Sequence, residues 1–362
     1  MDDDGIDLLL DALIDLALLI DGERRVLAQN APARELLGEH SVGRDLALAL
    51  RHPDALAAAD EVLGGAARAS RTITLAVPVH QVFELHVTAL PARDNQSARA
   101  LCLLRDVTPA REAERMRADF VANVSHELRS PLASLVGFIE TLRGPAQDDA
   151  EARARFLDIM DGEAKRMSRL VDDLLSLSRL EAREHIPPTG SVDLAVVLRE
   201  VSKTVALKAA AKKMTIDLEL APEPQQVPGE RDELTEVFDN LIDNAVKYGR
   251  PETTVRVRAQ LAERIPDVGG AGIAVAVNNR GEPIPPEQLP RLTERFYRID
   301  KGRSRGMGGT GLGLAIVKHI VNHHRGRLII ESDAERGNTF TVFLPLEERA
   351  VLSQRLSQER LS

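Results

Sequence analysis

A chain of 362 residues is too long for one ordinary hydrophobic core, so two or three domains are expected. Hydrophobic residues at 43% and charged residues at 28% give a globular rather than disordered balance, and a formal charge of −9 excludes a general nucleic-acid binder, whose footprint is basic. The single cysteine, Cys102, forms no internal disulfide and suits a reducing cytosol; it reads as a small buried strand residue.

The first apolar run, Leu8 to Ile20, is interrupted by Asp11 and Asp15. A membrane-spanning helix needs about 20 apolar residues, and a central Asp costs roughly 2.5–3.5 kcal/mol. Asp2, Asp3 and Asp4 stand where a signal peptide would carry basic residues. The expectation is a cytoplasmic chain with no transmembrane segment, membrane-associated only through removed segments or partners. Short apolar or alternating runs then predict strands at Leu16 to Ile20, Val26 to Ala28, Thr72 to Val77, Val82 to Ala89 and Leu101 to Leu104. Turn signals at Asp21-Gly22, Pro91 and Asp94-Asn95 separate several of them, and helical patterns near Pro32–Leu37 and Asp54–Leu63 fall between the second and third. His40, His52, His80 and His86 lack ligand-like spacing and read as surface or packing residues.

From about residue 109 the period changes. Phe120, Val124, Leu128, Leu132, Leu135, Ile139 and Leu142 recur at steps of three and four, a helical stripe that Gly144-Pro145 ends. Asp148 or Asp149 can cap a second helix, striped by Phe156, Met160, Ala164, Met167, Val171 and Leu174. One hairpin cannot bury both stripes, so a homodimer forming a four-helix bundle is expected. Pro187 to Gly190 reads as a linker, since consecutive prolines cannot continue a helix.

Within the first long helix, His126 lies about 200° from both Val124 and Leu128 and so points away from the seam. A largely unprotonated imidazole is a competent phosphoryl acceptor. Glu127 is the natural partner for its other ring nitrogen, and Pro131 removes a helical hydrogen bond one turn on. Alone, such a His-Glu pair is also what a solvated surface pair looks like. Further along, Asn240 and Asn244 sit at i and i+4 and project from one helical face. The run Gly308 to Leu314 supplies glycines that let backbone N–H groups close on phosphates before a helix, though a flexible loop is the commoner use of glycine.

Taken together these segments resemble the boxes of the sensor histidine kinases, in order. Ser125-His126-Glu127-Leu128-Arg129-Ser130-Pro131 resembles the H box, Arg231 to Tyr248 the N box, Arg291 to Arg298 the F box, Gly308 to Leu314 the G2 box, and Gly337-Asn338-Thr339-Phe340 the last glycine box. The resemblance implies an ATP-dependent kinase that phosphorylates its own His126 and passes the group to a response-regulator aspartate. It implies Ser130 as the orienter of water in regulator dephosphorylation, Asn244 with Asn240 on Mg2+, and Lys247 and Arg298 on phosphates. Tyr248 would line the nucleotide pocket, Gly309, Gly311, Leu312 and Gly313 would form the phosphate loop, and Thr339 would lie near the adenine. Gly306 to Gly309 would belong to a lid. The G1 box departs from Asp-x-Gly-x-Gly-Ile-Pro: Asn279-Arg280-Gly281-Glu282-Pro283-Ile284-Pro285 puts a neutral acceptor at the adenine and a stiff proline in the loop. Thr293 stands where the F box usually has an aromatic residue.

The expected fold is therefore α+β and multidomain. A PAS-like α/β sheet domain would occupy 1–108, the dimerising helical hairpin 109–186, a linker 187–190, a two-layer α/β sandwich ATP-binding domain 191–348, and a tail 349–362. The arrangement is most similar to phosphate-regulon sensor kinases, implying a PhoB-like receiver as partner. The alternative is a degenerate kinase that serves as a phosphatase or dimeric binding partner.

Overall fold

The computed structural model describes residues 8–75, 80–91, 99–183, 186–222, 225–299 and 309–346. The chain divides into two units, Met1–Ala122 and Asn123–Ser362. In the first, β1 (Leu16–Asp21) and β2 (Val26–Gln29) precede α1 (Ala31–Leu37), the single turn α2 (Leu46–Ala49) and α3 (Pro53–Leu63). Strands β3 (Arg68–Leu75), β4 (Gln81–Leu90) and β5 (Arg99–Asp106) follow. The sheet runs β2-β1-β5-β4-β3 and is antiparallel throughout. The predicted strand and helix order is what the chain forms; the turn at Asp94-Asn95 lies outside the described residues.

Pleat alternation sorts the side chains. Phe83, Leu85 and Val87 of β4 and Ala100, Cys102 and Leu104 of β5 enter one core with Leu18 and Ile20. The opposite face of β1 buries Ala17 and Leu19 against Leu10 and Ala28. That explains the unbroken apolar run: β1 is covered on both sides. Burial pushes the Cys102 thiol up to about 12, so it is an inert packing group. His52 is a helix cap, its Nδ1 accepting from Asp54 N at 3.3 Å. No helix among the described residues is long and apolar enough to cross a membrane.

Helix α4 (Thr108–Arg143) continues without a break through Pro131, whose side chain is buried. Asp149 caps α5 (Ala150–Arg183), accepting from Glu151 N and Ala152 N. The two helices meet at Phe138 and Phe156, ring centroids 5.2 Å apart. Not all of the expected stripe is buried within the chain: Leu132 is 53%, Ile139 43% and Val171 44% exposed, with Leu157 and Leu175 beside them. The residues of α5 that are buried, Leu170, Leu177 and Leu180, lie on another face. There Asp173, Ser176 and Glu181 bond to Thr310, Glu236 and Arg295 of the sandwich.

The sandwich has β6 (Ser191–Asp193), α6 (Leu194–Ala211), β7 (Thr215–Leu220), β8 (Gln226–Pro228), α7 (Arg231–Tyr248), β9 (Thr254–Ala262), β10 (Gly272–Asn279), α8 (Gly313–His323), β11 (Arg327–Asp333) and β12 (Gly337–Pro345). Its main sheet runs β11-β12-β10-β9-β7, with only the β7–β9 pair parallel. Helix α7 turns Leu234, Val237, Phe238, Leu241, Ile242, Ala245 and Val246 into the core, which leaves its asparagines to the other side. Lys212 fixes the far end of α7, donating to Val246 O at 3.0 Å and Lys247 O at 2.6 Å. At the near end His324 Nε2 accepts from Glu230 N at 3.2 Å, while its Nδ1 reaches Ile320 O at 2.8 Å. His323 links Glu233 (2.9 Å) to Ile186 O (2.6 Å).

Candidate active site

Three groups of candidate side chains arise from different elements. On α4, the His126 side chain is exposed. Ser130 lies one turn on and is also exposed. Glu127 does not partner the His126 ring: its carboxylate is half-buried and accepts from Arg166 Nη2 of α5 at 2.6 Å. Arg166 is 12% exposed and was invisible in a one-dimensional reading, because it comes from the other arm of the hairpin.

The second group gathers where α7 ends. Asn240 and Asn244 share the face of α7 turned from the core. Asn240 Nδ2 donates to Glu236 O at 2.9 Å, and a Cβ on Gly313 would overlap Asn240 Oδ1. That oxygen therefore looks at the start of α8. A Cβ on Gly309 would lie 2.8 Å from Lys247 Nζ and 3.7 Å from both Arg298 Nη2 and the Tyr248 hydroxyl. A side chain at 309 would have to push the Lys247 ammonium aside and would touch Arg298 and Tyr248. Gly311 adopts φ +79°, and its carbonyl accepts from Phe296 N at 2.8 Å, joining the loop to the segment that carries Arg298. Leu312, fully buried, and Gly313 open α8. Burial first, and then the charges of Arg298, Arg169 and Lys212, hold Lys247 down at about 8 against the opposing pull of Asp243. A cation so crowded is stabilised by a bound anion.

The third corner is at the ends of β10 and β12. Asn279 is 2% exposed, and its Nδ2 is buried with no hydrogen-bond partner among the described residues. A Cβ on Gly281 would lie 2.9 Å from that nitrogen, 2.9 Å from Tyr248 O and 3.0 Å from Asn338 Nδ2. Thr339 does not join this corner. Strand alternation puts it on the opposite face, where its hydroxyl accepts from Asn278 Nδ2 at 2.9 Å. The residue beside Asn279 is Asn338, which donates to Glu282 O (3.0 Å) and accepts from Ser332 Oγ (2.7 Å). Ser332 Oγ in turn accepts from Ile284 N at 2.7 Å, so the loop containing Pro283 is tied to the sheet. The register of β10 on β12 sets Asn279 opposite Asn338, and the period of two turns Thr339 to the other face. The expected lid at Gly306 to Gly308 lies outside the described residues.

These sites coincide with two family models. Residues 116–183 match the His Kinase A (phospho-acceptor) domain, and residues 229–348 match the histidine kinase-, DNA gyrase B- and HSP90-like ATPase. The chain is similar to the phosphate regulon sensor protein PhoR of Pseudomonas aeruginosa, 36% identical over 335 residues, covering 91% of this chain and 72% of the relative. It is also similar to the sensor protein kinase WalK of Staphylococcus saprophyticus, 38% identical over 250 residues, covering 68% of this chain but only 39% of that one. The histidine kinase ThkA, solved in complex with the response regulator protein TrrA, shares the fold with a TM-score of 0.52 at 22% identity, covering 94% of this chain and 98% of that one. The chain belongs to the sensor histidine kinases of two-component systems. It is a protein-histidine kinase whose ATP-binding domain is the C-terminal sandwich.

Proposed function

We propose that ATP bound between α7 and the Gly309–Gly313 loop phosphorylates His126, and that the phosphoryl group then passes to an aspartate on a response-regulator receiver. The observation that carries this reading is the convergence of Lys247, Arg298 and Tyr248 on Gly309, a cationic cradle that a side chain would fill. Mg2+ fits the free side of that cradle. The Asn240 Oδ1 oxygen is left over after its amide nitrogen is used, and Asn244 stands one turn away. When bound, the ion would bridge and neutralise the phosphates. Gly281, Asn279 and Asn338 would border the base, and Thr339 would face away from it. Glu127, held by Arg166, would orient the acceptor turn rather than take its proton.

The exposed apolar positions Leu132, Ile139, Leu157, Val171 and Leu175 support a homodimer through a four-helix bundle. Residues 1–108 serve as a PAS-like sensor domain, 109–186 as the hairpin, 187–190 as the linker, 191–348 as the ATP-binding domain and 349–362 as a tail. The name of the Pseudomonas relative supports a phosphate-regulon-like role with a PhoB-like regulator in the cytoplasm. Ser130, exposed one turn from His126, would assist dephosphorylation of that regulator. A second reading, a degenerate kinase acting as phosphatase or dimeric partner, draws on Asn279 and its unpaired amide.

Incubation with γ-labelled ATP tests the two. An acid-labile label lost in His126→Gln, with nucleotide binding retained, is expected; equal labelling of both proteins would sink the acceptor assignment. Light scattering of Leu132→Glu with Ile139→Glu should give a folded monomer from a wild-type dimer. A wild-type monomer would contradict the bundle.

A further inference from the structure

One face of α5 touches both ends of the reaction. Arg166 holds Glu127, the neighbour of His126, at 2.6 Å. Asp173 accepts from the Thr310 hydroxyl of the glycine loop at 2.6 Å. Arg169 falls between them, three residues after one and four before the other, so all three side chains share a face. Along the helix axis it is offset by roughly 4.5 Å from the acceptor level and roughly 6 Å from the loop level. Thr310 adjoins Gly309, whose Cβ position lies 2.8 Å from Lys247 Nζ. Arg169 is exposed, its Nε resting 3.4 Å from Lys165 O, and its charge bears on Lys247 together with that of Arg298. Asp243 opposes these charges at Lys247 and Asp173 faces Arg169, so a bound polyanion would compete with those carboxylates for the cations.

We propose that Arg169 is a catalytic residue of the kinase, its guanidinium binding the terminal phosphoryl group of ATP on its way from the Gly309 loop to His126. The inference rests on Lys247 and Arg298 marking the phosphate site. In the transfer, a bond forms between His126 Nε2 and the γ-phosphorus. The bond from that phosphorus to the β,γ-bridging oxygen breaks, and ADP leaves with its electron pair. The ring supplies its Nε2 lone pair, and the proton on Nδ1 is released to solvent afterwards. Arg169 neither gives nor takes a proton; it balances the charge on the equatorial oxygens.

Full-length Arg169→Gln and Arg169→Lys, assayed with γ-labelled ATP and titrated calorimetrically with ADP and a non-hydrolysable ATP analogue, test this. The Gln variant should lose on the order of a hundredfold in kcat, the usual scale for one preorganised charge donor, while ADP affinity is retained. The Lys variant should recover part of the rate. The alkaline limb of the pH–rate profile should move upward in Arg169→Gln, because Lys247 loses a neighbouring positive charge. A kcat within about threefold of wild type would overturn the proposal. So would equal losses of ADP and analogue affinity with an unmoved pH profile, the mark of a structural contact. Lys247→Met separates the premises: if it binds both nucleotides like wild type, the phosphate site falls and Arg169 with it. If it weakens both while Arg169→Gln is normal, only Arg169 falls.

Discussion

Two buried asparagines, Asn30 capping α1 of the N-terminal unit and Asn279 at the end of β10 in the C-terminal unit, are treated in opposite ways. Asn30 of the N-terminal unit is 0% exposed and wholly engaged. Its Oδ1 accepts from Ala17 N (3.0 Å) and Ala33 N (3.1 Å), and its Nδ2 donates to Leu13 O (3.2 Å) and Asp15 O (2.8 Å). Asn279 of the C-terminal unit is as buried, yet its Nδ2 has no partner among the described residues. The Asn30 amide is a joint of the fold, whereas the Asn279 nitrogen is left beside Gly281 at the end of β10. The same contrast separates Cys102, raised to about 12 by burial and chemically quiet, from Lys247, lowered to about 8 beside a glycine cradle.

The largest effect expected is on stability. Asn30→Leu strips partners from two buried N–H groups and two carbonyls, and should cost about 3–5 kcal/mol in chemical denaturation of the N-terminal unit. Nucleotide titration should be unaffected. Asn279→Leu removes a group already unpaired, so stability should change by less than about 1 kcal/mol while ATP binding weakens. Comparable destabilisation by both would erase the distinction.

Next comes Asn279→Asp. A charged acceptor at the adenine should tighten ATP by about 1–2 kcal/mol, roughly five- to thirtyfold, and selectively over guanine nucleotides. Asn279→Asp with Pro283→Gly is the fairer comparison if the loop resists. Unchanged binding in both would mean that the site has re-formed around the amide and its Asn338–Ser332 network. A smaller effect follows from Lys247. Its folded value, about 8, lies below the ordinary 10.5, so it is protonated and attractive to phosphate only below about 8. Calorimetry should show ATP affinity falling severalfold as pH rises through that value, and Lys247→Met should flatten the profile. The smallest effect is on Cys102, where an alkylating reagent should react slowly in the native state and leave labelling from ATP unchanged.

What could be read from the sequence was periodic or local. Strand alternation pointed to the first sheet, the steps of three and four to α4 and α5, and the pair Asp148-Asp149 to the start of the second helix, where Asp149 is the cap. Gly311 was legible because a φ of +79° is set by its own backbone, whereas Gly309 and Gly313 face Lys247 and Asn240 of a distant helix. Hidden were features made by distant segments: Arg166 reaching Glu127, Asp173 reaching Thr310, and the burial of Leu170, Leu177 and Leu180 against the sandwich rather than within the hairpin. Thr339 pairs with Asn278 rather than Asn279, because the pleat turns Asn338 one way and Thr339 the other.

His324 gives the ATP-binding sandwich an acid limit. Its Nε2 can accept from Glu230 N only while the ring is neutral, and Nδ1 is already committed to Ile320 O. Burial, foremost, lowers its pKa from the ordinary 6.5, despite the contrary pull of Ile320 O, Glu233 and Glu230 and with the help of His323. The unfolded chain therefore takes the proton first. Stability is complete above about 6.5 and is lost as pH falls from there toward the lower folded value. Storage or purification in mildly acidic buffer thus attacks this protein at a defined place, the first turn of the helix that carries Asn240, Asn244 and Lys247.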